Sequence, residues 1–121
     1  MQHLFLVNPD FSPFDKSQIE TLLCTERRFY DVRTDLPVGG LLEAEFGRRN
    51  HWTRIVLSTD ATAITLAWIS TTALYVALLV RNWLGRDLRV FDTQYSFDLL
   101  LEENTTLADF DAAIDAAQRE P

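Results

Sequence analysis

The sequence predicts an α+β domain in which a mixed, largely antiparallel sheet packs against about three helices in two layers. Three observations carry that prediction. Short stretches of period-two alternation are interspersed with stretches of helical period. The longest uncharged run, Ala61 to Val80, changes from the first period to the second partway along. No repeat, low-complexity segment or linker divides the 121 residues, so residues 1–121 read as one domain.

Leu4-Phe5-Leu6-Val7 is a continuous apolar run ended by Asn8-Pro9-Asp10, which suits a central strand covered on both faces. Ser12, Pro13 and Asp15 make a helix start, because proline is tolerated in the first turn and an acid is favoured there. Ile19, Leu22 and Leu23 give that helix its apolar side as far as about Thr25, and Cys24 beside them reads as a small buried hydrophobe. A second strand follows from Arg28 to Arg33 through Phe29, Tyr30 and Val32, then a loop over Leu36–Gly40. Leu42, Ala44 and Phe46 alternate with Glu43 and Glu45, as on a strand with one wet face. Gly47-Arg48-Arg49-Asn50 turns the chain, and Trp52–Ser58 with Thr62–Trp68 completes a three-strand antiparallel meander.

The twenty residues Ala61 to Val80 have the length of a membrane span. Their pattern says otherwise. Ile64, Leu66 and Trp68 alternate with small or hydroxylated residues, and Ser70, Thr71 and Thr72 then interrupt the run with groups that cap a helix start. Ala73 to Leu84 follows as a helix apolar all round for two turns, which is a buried core helix and no membrane element. Gly85 suits its left-handed end, with Arg81 and Arg86 near the negative end of its dipole.

Leu88–Phe91 is a strand, reached by a right-handed crossover if it runs parallel to the one before the helix. Phe97, Leu99 and Leu101 alternate towards Glu102, as a hairpin partner or a bulged continuation. Thr105 or Thr106 caps a last helix, whose Leu107, Phe110, Ile114 and Ala117 form one stripe.

Hydrophobic residues make up 47% and charged residues 24%, an ordinary globular balance for a chain long enough to bury roughly two-thirds of its unfolded surface. A lone cysteine and a start without the features of a secretory signal point to the cytoplasm. The net charge is −7, and from Leu88 onward eight acids face only Arg89 and Arg119, which supplies six of the seven excess charges. That excess speaks against nucleic acid and for a basic protein partner.

No residue pattern names a reaction. His3 and His51 do not stand in metal-site spacing, so neither a metal nor another cofactor is expected. Gly39-Gly40 lacks the Lys-Ser/Thr of a phosphate loop, and no base can be placed beside Cys24, so no catalytic residue is assigned. The most distinctive stretch is Phe91 to Asp98, where Asp92, Tyr95 and Asp98 gather at a strand break. Continued by Glu102, Glu103, Asp109, Asp111 and Asp115, it reads as an acidic, aromatic contact surface for a basic partner. The bland alternative has Asp92 capping a turn, Tyr95 and Phe97 packed on the core, and Asp98 in solvent.

Residues 83–98, with a Leu-Gly helix end followed by Leu-Arg-Val-Phe-Asp-Thr, a variable position, then Tyr-Ser-Phe-Asp, resemble a pattern in small bacterial single-domain proteins. Some of those resemble immunity proteins of polymorphic toxin systems. The resemblance brings no catalytic residue; it implies an acidic cytoplasmic inhibitor that binds a toxin domain, with charge steering the encounter. Two other functions fit the residues. One is a homo-oligomeric module, such as a homodimer, built on a side of the Ala73–Leu84 helix or on an open sheet edge. The other is a small-ligand or enzymatic domain with a pocket near residues 8–14, lined by Phe11 and Phe14.

Overall fold

A computed structural model describes residues 3–34, 40–48 and 50–119, so Arg49 and most of the loop expected at Leu36–Gly40 lie outside the described residues. Among the described residues seven strands are present: β1 (Leu4–Val7), β2 (Phe29–Thr34), β3 (Leu42–Arg48), β4 (His51–Leu57), β5 (Ile64–Leu66), β6 (Leu88–Asp92) and β7 (Asp98–Leu101). Three helices join them: α1 (Lys16–Thr25), α2 (Thr71–Leu84) and α3 (Leu107–Arg119).

The strands form one sheet in the order β2-β3-β4-β5-β1-β6-β7. Residues 42–66 make the expected meander, with Ala44 opposite Ile55 and Ile55 opposite Leu66. Every described ladder is antiparallel, which corrects the mixed sheet. The reason is the place of β1. It pairs with β5 on one side and β6 on the other, so the two strands that α2 connects run parallel to each other without touching.

Alternation then sorts the strand side chains. Leu4, Leu6, Leu42, Ala44, Phe46, Ile55, Leu57, Ile64, Leu66, Leu88 and Val90 join Ile19, Leu22, Val76, Val80, Phe110 and Ile114 of the helices in a single core. Burying a leucine such as Leu4 on that side stabilises the fold by about 1.5–3 kcal/mol. Phe5, Thr65, Val56, Arg89 and Phe91 point the other way and are only partly buried. The helices therefore cover one face of the sheet and leave the second uncovered, in two layers as expected.

Local signals explain where the helices begin. Asp15, not Ser12, caps α1, accepting from the N–H groups of Ser17 (2.9 Å) and Gln18 (3.4 Å). Ser12 is used earlier, donating its N–H and hydroxyl to Asp10 in a tight turn. Ser70 caps α2 by accepting from the Ala73 N–H at 3.2 Å, which starts the helix two residues before the expected Ala73. Gly85 ends α2 at φ 68°, with its N–H on the Arg81 carbonyl. At α3, Thr106 and Asp109 each accept the other's backbone N–H, a capping box.

Two expectations about exposure change. Cys24 is exposed, because on α1 it falls off the side that carries Ile19, Leu22 and Leu23. The helix α2 is not apolar on every side in effect, since Tyr75 and Trp83 reach solvent while Leu74, Val76, Ala77 and Val80 are buried. Among the described residues no helix is long and apolar enough to cross a membrane.

Candidate functional site

The hairpin joining β6 to β7 combines a buried carboxylate with a non-glycine residue at positive φ, a backbone state that Phe11, Asp31, Ala61, Trp68 and Asn104 also adopt among the described residues. The alternation of β6 sends Asp92 inward with Leu88 and Val90, and it is fully buried. A buried carboxylate must be hydrogen-bonded. Asp92 accepts from the Ser96 N–H at 2.6 Å with one oxygen and from the Ser96 hydroxyl with the other. The turn is closed further by the Tyr95 N–H on the Asp92 carbonyl at 3.1 Å. Beside it, Thr93 is tied to His3 through the Thr93 N–H on the His3 carbonyl and the His3 N–H on the Thr93 hydroxyl.

This closure forces Tyr95 to φ 54°, a left-handed backbone that costs a non-glycine residue about 1–2 kcal/mol. The residue is nonetheless 65% exposed. It stacks at 4.8 Å and 6° on Phe91, which in turn stacks at 5.5 Å on Phe5, its cross-strand neighbour on β1. The three rings form a ladder on the uncovered face of the sheet.

Charged and apolar neighbours frame the ladder. Arg89 donates through Nε to Asp98 at 2.7 Å and through Nη2 to its second oxygen, a two-pronged pair across β6 and β7. The guanidinium bonds hold the Asp98 carboxyl below its usual range, against a smaller opposing effect of burial. Arg89 also lies over the ring of Phe11, 5.1 Å from its centre, and Phe11 is itself held at φ 60° and exposed. Leu100, next but one to Asp98 on β7, is 48% exposed on the same face.

The acidic residues proposed from sequence do not form one surface. Asp92 is a positioning group inside the hairpin, which corrects its place among the contacts; inward alternation on β6 is the reason. Tyr95 is exposed and Phe97 buried, so the bland alternative holds for Asp92 and Phe97 and fails for Tyr95. Asp98 belongs to the ladder's rim, where it is paired. Glu102 and Glu103 lie past β7 in the turn before α3, exposed. Asp109 caps α3, and Asp111 and Asp115 are exposed farther along that helix.

Other groups with chemical potential have structural work. His3 accepts the Trp68 N–H through Nδ1 at 3.3 Å, and His51 stands exposed at the start of β4. Phe14 is buried in the core while Phe11 is 52% exposed, so the two rings expected to line a pocket are divided between core and surface. Among the described residues, no three His, Cys, Asp or Glu side chains stand together as a metal site would need.

Sequence alone missed Phe5, Phe11 and Arg89 as members of the site. Phe5 and Phe91 are eighty-six positions apart, and only the β1–β6 register brings them together. No family model, no curated protein and no solved structure matches this chain.

Proposed function

We propose that the protein is a non-enzymatic binding module that presents the uncovered sheet face at its β1-β6-β7 end to a basic protein partner. The observation that carries this reading is Tyr95, a large aromatic in the open whose left-handed backbone lies within the turn closed by the buried carboxylate of Asp92 on Ser96. Strain of that kind persists where the surroundings impose it, and it gathers at binding sites. A rigid aromatic that brings area at little entropic cost is the usual anchor of an interface. The free face of such a ring attracts an arginine or lysine by about 0.5–2 kcal/mol. The net charge of −7 favours encounter with a cationic protein at long range. The inhibitor form of the reading, with a toxin domain as partner, draws on the resemblance at residues 83–98.

The test is capture from the lysate of the source cells on immobilised wild type, Tyr95→Ala and Asp111→Asn, at low and high salt. The expected result is a stoichiometric basic protein retained by wild type and Asp111→Asn and lost from Tyr95→Ala. Equal retention on all three removes Tyr95 from the interface and this reading with it. Loss from Asp111→Asn alone moves the interface to α3.

A further inference from the structure

At the opposite end of the strand order, where the tip of the β3–β4 hairpin meets the first turn of α2 and the start of α3, the surface is concave. A groove of about 440 Å³ is lined by Phe46, Tyr75 and Leu107, with Arg48, His51 and Thr72 at its edges. A second groove adjoins it through the shared Arg28, Gly47 and Arg48, and Arg27 and Tyr30 extend it.

The two grooves have a charge opposite to that of the chain. Among the described residues no aspartate or glutamate lines either one, although acids outnumber bases by seven in the whole sequence. Arg27, Arg48 and His51 are exposed and make no ion pair among the described residues. Arg28 is fixed as part of the wall. It donates to Glu26 at 3.0 Å and to the Tyr75 hydroxyl at 2.9 Å, with its guanidinium over the rings of Phe46 and Tyr75 at 5.3 and 5.0 Å. The N–H groups of Thr71 and Thr72 open the fourteen-residue α2 and have no acceptor within the helix, so its positive end adds to the same field. The backbone leaves no room for a side chain at Gly47, where a Cβ would stand 1.9 Å from the His51 carbonyl oxygen.

An apolar floor with a cationic rim fits one chemical class. We infer that this groove binds a small organic anion, a carboxylate on an aromatic or aliphatic body, with the body against Tyr75, Leu107 and the Arg28 guanidinium that covers Phe46, and the carboxylate towards Arg48, His51 and the first turn of α2. The volume lies within the range of roughly 300–1,000 Å³ that small-molecule sites occupy. Arginine suits the carboxylate because its fork of donors matches the two oxygens. The charge of the whole chain repels anions, so attraction here is a local property of these residues.

The experiment is calorimetric titration of the full chain with 2-naphthoate and, separately, with its neutral isostere 2-naphthylmethanol. The expected result is saturable one-to-one binding of the acid, with the alcohol at least tenfold weaker. Arg48→Gln combined with His51→Gln weakens the acid by tenfold or more, whereas Arg86→Gln, a cation that lines neither groove, leaves it unchanged. Thr71→Trp, at an exposed position on the groove wall, fills the space and abolishes binding without altering the urea midpoint. No binding at millimolar acid overturns the inference. Equal affinity for acid and alcohol also overturns it, as does binding that survives Thr71→Trp in a folded protein.

Discussion

The buried carboxylate of Asp92 accepts both the backbone N–H and the hydroxyl of Ser96, four residues on, and the left-handed backbone of Tyr95 lies inside the loop so closed. The acceptor of the hydroxyl bond has no access to water. Ser96→Ala should therefore cost about 1.5–3 kcal/mol, read as a lower urea midpoint at unchanged slope. Ser96→Thr, which keeps the hydroxyl, should recover most of the loss. An unchanged midpoint in Ser96→Ala would show that the backbone N–H alone satisfies Asp92.

Tyr95 itself should contribute little to stability. Tyr95→Asn removes a stacking contact worth about 0.5–1.5 kcal/mol but places a residue that tolerates the left-handed region better. The two effects oppose, so urea unfolding should move by less than about 1 kcal/mol while capture of the basic partner is lost. A large loss of stability would make Tyr95 a lid on Phe91 and not a presented group.

Why some of this was legible in sequence and some was not comes down to the range of the interactions. Periodicity within Leu42–Phe46 and within Ile64–Leu66 depends on a few neighbouring residues, and it placed those strands and their buried faces. The hydroxyls at Ser70 and Thr106 act within one helical turn, and they marked the starts of α2 and α3. The position of β1 between β5 and β6 depends on contacts across more than fifty residues, so the absence of parallel pairing was not visible. Asp92 was misplaced for the same reason. Its inward direction follows from the phase of β6 through Leu88 and Val90, but an acid next to a turn reads as exposed until Ser96 is seen to receive it. Cys24 needed only helical geometry, and the apolar neighbours Leu22 and Leu23 obscured it.

The glycines of the two turns should differ in cost. A Cβ at Gly47, at φ 80°, would overlap the His51 carbonyl oxygen, and the backbone cannot yield without breaking the β3–β4 register. Gly47→Ala should cost about 1–3 kcal/mol or more from overpacking. Gly85, at φ 68°, has open space around it, so Gly85→Ala should cost only the conformational part, about 1 kcal/mol. Thermal unfolding of the two variants side by side reads the difference, and equal shifts would contradict the clash at Gly47.

Glu45 ties three strands together on the uncovered face. Its oxygens lie 3.0 Å from Arg33 Nη2 on β2 and 3.0 Å from Arg54 Nε on β4, with Glu43 sharing both arginines. Glu45 is nearly buried while each arginine is almost half exposed. Glu45→Ala should then cost about 1–3 kcal/mol. Arg33→Ala, the removal of an exposed partner, should cost about 0–1 kcal/mol. A double-mutant cycle between Glu45 and Arg54 should show coupling of at least about 0.5 kcal/mol. Additive losses would mean that solvent screens the pair in full.

The turn between β4 and β5 should respond to acid at an unusually low pH. One oxygen of Asp60 accepts from the Thr62 hydroxyl at 2.7 Å, the Thr62 N–H at 3.1 Å and the Ser58 hydroxyl at 2.8 Å. Those bonds, the Thr62 hydroxyl first, lower its pKa from 3.8 to about 2. A carboxyl whose pKa is depressed by folding contributes stability that is fully present above its unfolded value and lost as pH falls through the folded one. The turn should thus stay intact at pH values where ordinary carboxyls have taken up their protons, and loosen only on approach to about 2. Carboxyl NMR titration of Asp60 reads the midpoint directly. In Thr62→Val, which removes the leading cause, the midpoint should climb towards 3.8, and in Ser58→Ala it should climb by less. A wild-type midpoint near 3.8 would show that water competes successfully for the Asp60 oxygen and that the turn is held by its backbone bonds, Ser58 N–H to Ala63 and Ala61 N–H to Ser58, instead.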